Sequence, residues 1–180
     1  MDNYPEHLKP RFEPSGAVVE PFEEWWTKVQ SEFPHVPENV ARYWLHEHWS
    51  HSPYSYLMSV KYRFERKDWR DLRSILSLWS DYKPDNVGTI SKGKQLCTDK
   101  SFGSLYRTAQ YMLDNRRFPE PIIVLDNNDG HHNADYPEEL ALPSGYILIE
   151  GHSRFNIGLY LHVEGMMDSG EVWLMRKIAA

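Results

Sequence analysis

The sequence predicts an α+β chain in which an aromatic-rich helical region precedes a small mixed β-sheet with packed helices. Three observations predict it. Six of the seven tryptophans fall before residue 80. In that half, apolar residues recur at spacings of three and four, the period of a helix face. The later half alternates short β-branched runs with helical stripes, the pattern of strands and helices sharing one core. The division expected from this change of texture is a helical region at 1–84 and a sheet-containing core at 85–180.

Each element has its own signal. Pro5, Pro10, Pro14 and Gly16 make the first twenty residues an irregular lead-in. A helix is predicted from Pro21 to Phe33, because proline suits a helix start and Glu23 and Glu24 suit its positive end. Phe22, Trp25 or Trp26, Val29 and Phe33 give it an apolar stripe, and Pro34 stops it. Pro37 opens a second helix with Val40, Trp44 and Leu45 on one side, before Ser50-His51-Ser52-Pro53 breaks it. Residues 54–64 fit either a strand, through Val60, Tyr62 and Phe64, or a helix, through Tyr54, Leu57 and Met58. Trp69, Leu72, Leu76 and Trp79 predict a helix over Asp68–Trp79, and the Gly- and Pro-containing stretch 83–103 reads as a linker. A helix from Ser104 to Arg116 turns Leu105, Ala109, Met112 and Leu113 inward. Pro121–Leu125 and Tyr146–Ile149 are strands joined by a polar, turn-rich connection. A helix through Phe155, Leu159, Tyr160 and Val163 follows, and Val172–Ile178 is the last strand.

Composition removes several function classes. The net charge is −6 over 180 residues, which argues against a dedicated DNA- or anionic-membrane-binding surface. The longest aliphatic run, Ile122-Ile123-Val124-Leu125, is far short of the roughly 18 residues of a membrane helix. The acidic, polar start resembles neither a signal nor a transit peptide. Cys97 is the only cysteine, so neither an intrachain disulfide nor a cysteine zinc cluster is expected, and the reading is a cytoplasmic protein. Residues 61–117 carry a net +6 between acidic ends, either a local attraction for an anionic ligand or a solvated face. Arg107, Arg116 and Arg117 in this stretch either border an anion site or solvate their helix.

The sharpest chemical feature is the junction Glu150-Gly151-His152-Ser153-Arg154 between a strand and a helix. Such a turn places backbone N–H groups at the positive end of a helix. Gly151 allows a close approach of backbone to ligand, His152 and Ser153 add short donors, and Arg154 adds a fork suited to phosphate. Glu150 is positioned to hold magnesium or accept a proton. Two histidine groups are weaker. His46, His48 and His51 have the wrong spacing for a helical metal motif, and a structural or surface role is favoured. Asp129-Gly130-His131-His132-Asn133 is read as a solvated loop, with a lid over Arg154 as the alternative.

With those residues in view, 104–178 resembles the core shared by the ParB N-terminal domain and sulfiredoxin. Pro121-Ile122-Ile123-Val124 resembles the family's P-I-x-V strand, and Tyr146 to Arg154 resembles its strand and G-x-x-R box. The box of related free serine kinases, D-G-H-H-R, is similar at Gly151, His152 and Arg154, with Glu150 at its acidic position. The resemblance implies a nucleotide-binding protein taking ATP or CTP with magnesium, and nucleotide hydrolysis or phosphoryl transfer as its activity. It implies that Gly151, His152, Ser153 and Arg154 cradle phosphates, and that Glu150, as metal ligand, and His152 serve catalysis. Arg154→Ala is then expected to lose nucleotide binding with the fold intact. His152 and Ser153 replace the box cysteine of sulfiredoxin, so sulfinic-acid reduction is not expected. Nor is ParB-type DNA binding, since the sequence given ends at Ala180 with no helix-turn-helix. The alternative is a non-catalytic regulatory protein whose helical half, with an exposed patch at Trp25, Trp26, Trp44 or Trp49, binds a protein partner or a second copy.

Overall fold

The computed structural model describes residues 6–49, 62–78, 86–101, 103–132 and 142–178. They form an α+β fold, packed as two compact units, Met1–Phe64 with Arg176–Ala180 and Glu65–Met175.

In the first unit, Pro21 precedes α1 (Phe22–Val29), whose first turn carries Glu23 and Glu24. Phe22, Trp25 and Val29 form its buried stripe, and the chain tightens over Gln30–Glu32 before Phe33. The second predicted helix starts as α2 (Glu38–Val40) and widens into π-helical turns over Ala41–His46. Its buried residues, Val40, Ala41, Trp44, Leu45 and His46, close the core. Phe22 sits at the centre of an aromatic assembly: Trp26 stacks on it at 5.9 Å, His46 meets it edge-on at 5.5 Å, and the Arg42 guanidinium lies 3.9 Å from its centroid. Trp25 donates from Nε1 to Leu8 O at 2.7 Å and contacts Phe33, His46 and Trp49. Trp25, Trp44 and Trp49 are buried and Trp26 is half-buried, so these rings hold the unit together rather than forming an exposed patch.

Glu20 is the polar centre of this unit. Its carboxylate accepts the Arg11 backbone N–H at 3.1 Å and the Lys28 ammonium, and its carbonyl lies 2.8 Å from His46 Nε2. His46 is thus a structural histidine. His51 lies outside the described residues, and among those described no three His, Cys, Asp or Glu side chains gather as a metal set. Burial pushes the Glu20 carboxyl up, but the bonds from Lys28 and from Arg11 outweigh it and hold it below its ordinary 4.5. A depressed carboxyl contributes stability above its unfolded pKa and loses it as pH falls through the folded one. Glu20→Gln is therefore expected to destabilise the first unit by about 2 kcal/mol at pH 7. The difference between wild type and variant should shrink as pH falls below about 4.5, measured by urea unfolding along a pH series. A penalty that stayed constant down to pH 3 would refute the ionic role.

The chain has a five-stranded sheet of β1 (Tyr62–Trp69), β2 (Ile75–Leu76), β3 (Ile122–Asp126), β4 (Tyr146–Glu150) and β5 (Gly170–Lys177), most of it within the second unit. The order is β1-β5-β3-β4-β2, with β3 antiparallel to β4 and parallel to β5, and β2 parallel to β4. Ile122, Ile123, Val124 and Leu125 are all buried, as are Ile147, Leu148 and Ile149. Continuous apolar runs of this kind belong to central strands covered on both faces. Three helices pack with the sheet: α3 (Val87–Thr98), α4 (Arg107–Asn115) and α5 (His152–Val163). The last two, and the order of elements from residue 104 onward, agree with the sequence reading.

Two expectations are corrected. The helix predicted over Asp68–Trp79 is absent from its described part, which is the end of β1, a single tight turn at Leu72–Ser74, and β2. Long-range pairing overrides the helical spacing. Arg66 forms a bidentate ion pair with Glu171 of β5 at 2.5 and 2.6 Å, and Trp69 packs edge-on to Tyr146 at 4.6 Å. Leu72 and Ile75 are fully buried in the sheet core. The linker predicted at 83–103 contains helix α3 instead. Its glycines read as breakers, but Thr89, Gly93 and Cys97, four residues apart, are its buried stripe. A Cβ on Gly93 would stand 2.0 Å from the carbonyl oxygen of Asn156 in α5, so this glycine marks a close crossing of two helices.

Candidate functional site

The strand-to-helix junction has the predicted form. β4 ends at Glu150, Gly151 adopts φ 94° and ψ 30°, and α5 begins at His152. The first bond of the helical ladder runs from Phe155 N–H to Gly151 O at 2.8 Å, so the N–H groups of residues 152–154 lie at the open end of a twelve-residue helix. Among the described residues, the N-cap position, Gly151, contributes no side-chain capping bond. Ser153 is exposed, while His152, Glu150 and Arg154 are half-buried.

Gly151 is required twice over. Its φ lies where side-chain-bearing residues are strained, and a Cβ there would stand 2.6 Å from Ile122 Cγ2 and 3.2 Å from Arg154 Nε. Gly151→Ala is expected to cost about 2–4 kcal/mol, from backbone strain and overpacking together. Thermal or urea unfolding measures this, and a loss under about 0.5 kcal/mol would contradict the assigned conformation.

The Arg154 side chain turns onto the segment that leads into β3. Its Nη1 donates to Glu120 O at 3.1 Å and lies 3.3 Å from Pro121 O, and its Nη2 is 3.9 Å from Glu150 Oε1. The guanidinium thus lies against the turn's own support. The Glu150 carboxylate faces Arg154, and among the described residues it belongs to no three-residue acidic or histidine group. A magnesium ion at Glu150 would need a ligand's phosphate oxygens and water to complete its coordination.

Beside the turn the structure has a feature that the sequence reading caught only through Arg107. An open groove of about 440 Å³ is lined by Tyr106, Arg107, Thr108, Tyr111 and Pro119. Helix α4 buries Ala109 and Met112; on the groove side Tyr106, just before the helix, is 46 % exposed, while Thr108 and Tyr111 are half-buried and Tyr111 also packs against the core. Arg116 takes a left-handed conformation, φ 56°, at the end of α4, and Arg117 then turns back so that its Nε donates to the Tyr111 hydroxyl at 3.2 Å. Groove and turn share one segment: Pro119 borders the groove, and the next two carbonyls bind Arg154. The usable sequence signal was two tyrosines standing off the apolar stripe among three arginines.

The histidine loop lies elsewhere. In the β3–β4 register Asp126 pairs with Tyr146 and Ile123 with Glu150, so residues 126–132 leave the strand end opposite Gly151. Buried Asn127 closes the neck of this connection, donating to Leu142 O and Pro143 O and accepting from His132 N–H. His131 bonds Asp129 locally at 2.5 Å, which holds the Asp129 carboxyl below its ordinary value. The described part of the loop thus forms its own bonded unit, away from Arg154. Asn133 lies outside the described residues. Among the described residues no helix is long and apolar enough to cross a membrane.

Comparison with protein-family models, curated proteins and solved structures finds no match to this chain.

Proposed function

We propose that this protein binds a nucleotide, as the resemblance to the ParB/sulfiredoxin core implies. Phosphates rest on the N–H groups that open α5, and the base lies in the groove on α4. The observation that carries the reading is the adjacency of these two parts through Pro119-Glu120-Pro121. One part suits an anion, by helix polarity and the backbone N–H groups of its first turn. The other suits a flat ring carrying polar edges, with Tyr106 and Tyr111 as stacking faces and Arg107 and Thr108 as donors. ATP and CTP are the first ligands to test, with magnesium supported by Glu150 and the phosphates.

Binding has more support than turnover. Hydrolysis or phosphoryl transfer assigns Glu150 and His152 to proton transfer or metal binding, and a phosphate-release assay on Glu150→Gln tests that separately. The competing reading, a protein partner on the helical half, does not find an exposed patch at Trp25, Trp44 or Trp49, which are buried, or at Trp26, which is half-buried.

The deciding experiment is a thermal-shift panel of ATP, CTP, GTP and UTP, with and without magnesium. A ligand at one hundred times its Kd adds about 2.7 kcal/mol of stability, which resolves clearly. Tyr111→Ala should weaken the responding nucleotide by roughly 5- to 150-fold, the range of one lost stacking contact. No shift with any nucleotide at millimolar concentration would overturn the proposal.

A further inference from the structure

We infer that the Arg154 side chain is a positioning residue, a clamp that fixes the wall between turn and groove, and not a phosphate ligand. The inference rests on the nucleotide reading above and assigns roles within the same site.

Three observations carry it. First, the guanidinium is engaged in the fold: Nη1 reaches the carbonyls of Glu120 and Pro121 at 3.1 and 3.3 Å, and Nη2 faces Glu150 at 3.9 Å. Second, it is enclosed, with only 16 % of the side chain exposed and Nε so close under Gly151 that a Cβ there would approach it to 3.2 Å. Third, the segment it holds needs an external fastening. Pro119 and Pro121 lack N–H groups, so they cannot fix this edge by donating backbone hydrogen bonds. A planar fork with several fixed donors can bridge two successive carbonyls, which a single ammonium on a flexible stem does poorly. Since Pro119 lines the groove, Arg154 sets the width of the base site from behind, while phosphate binding falls to the backbone N–H groups of 152–154 and to Ser153.

The test separates the two roles by counting phosphates. Calorimetric Kd values are measured for the nucleoside and its mono-, di- and triphosphate, whichever base the panel selects, on wild type, Arg154→Gln and Arg154→Lys. A clamp predicts that both variants weaken all four ligands by one common factor, to within about threefold, and that Lys fares no better than Gln. A loss that grows tenfold or more from nucleoside to triphosphate in the Gln variant, with the triphosphate recovered in Lys, would overturn the inference. A second readout needs no variant. In wild type the Arg154 Nε–Hε NMR signal should keep its position when triphosphate saturates the protein, whereas a large displacement would assign it to the phosphates. If wild type binds none of the four ligands, it is the nucleotide reading that fails.

Discussion

Gly93→Ala is expected to destabilise the sheet-containing unit by about 3 kcal/mol, the upper part of the range for overpacking a core. The added Cβ would lie 2.0 Å from Asn156 O, 2.6 Å from Asn156 C and 2.8 Å from Tyr160 Cβ. Two of these atoms are backbone in the middle of α5, so no side chain can swing away to relieve the contact. The helices must separate instead, and separation opens gaps along the Thr89–Gly93–Cys97 stripe. Alanine's better helix propensity would return only about 1 kcal/mol. The effect should appear as a lower urea midpoint at unchanged slope. A variant within 0.5 kcal/mol of wild type would mean that α3 and α5 do not cross this closely.

This glycine also explains why part of the fold was hidden from sequence reading. Elements whose stability is carried by their own residues were legible. Strands β3 and β4 announce themselves as short apolar runs rich in isoleucine, and α4 sets its apolar residues on a helical period. Helix α3 was not, because its inward face is Thr89, Gly93 and Cys97, small residues chosen for close approach, which a hydrophobicity pattern cannot distinguish from a linker. The stretch 68–76 misled in the opposite sense. Trp69, Leu72 and Leu76 have helical spacing, but their partners are Tyr146 and the rest of the sheet core, far along the chain.

The site divides in the same way. Gly151 and the polarity of α5 were readable, because turn geometry is a local property. The groove was not, since it arises where the outward side of α4 meets Pro119. Neither was the posture of Arg154: a motif fixes where the residue stands, while the carbonyls of Glu120 and Pro121 decide which way its guanidinium turns. The expectation that Arg154→Ala leaves the fold intact changes accordingly. Removing the guanidinium takes hydrogen-bond donors from two half-buried carbonyls, so a stability loss of about 1–3 kcal/mol should accompany any loss of binding.

Phe118→Ala is expected to have the largest effect of any substitution near the site, about 3–5 kcal/mol, as for other buried aromatic rings. The ring of Phe118 is 5 % exposed and stands against two glycines: a Cβ on Gly158 of α5 would come within 2.4 Å of it, and one on Gly170 of β5 within 2.3 Å. The ring therefore occupies a slot that exists only because both neighbours lack side chains. Truncation leaves a slot between two glycines whose backbone cannot collapse into it, with the Met167 side chain at its border, so a cavity cost adds to the lost burial. Phe118→Leu refills part of the volume and should cost about half as much. The same ring immediately precedes Pro119, the residue through which the groove meets the clamped segment. Phe118→Leu should consequently loosen nucleotide binding by a similar factor for every phosphate count, as a displaced wall would, while leaving the N–H cradle at α5 in place. Urea unfolding and calorimetry on the same protein measure both effects. A Leu variant with reduced stability but unaltered affinity would show that the groove wall is held by Arg154 alone.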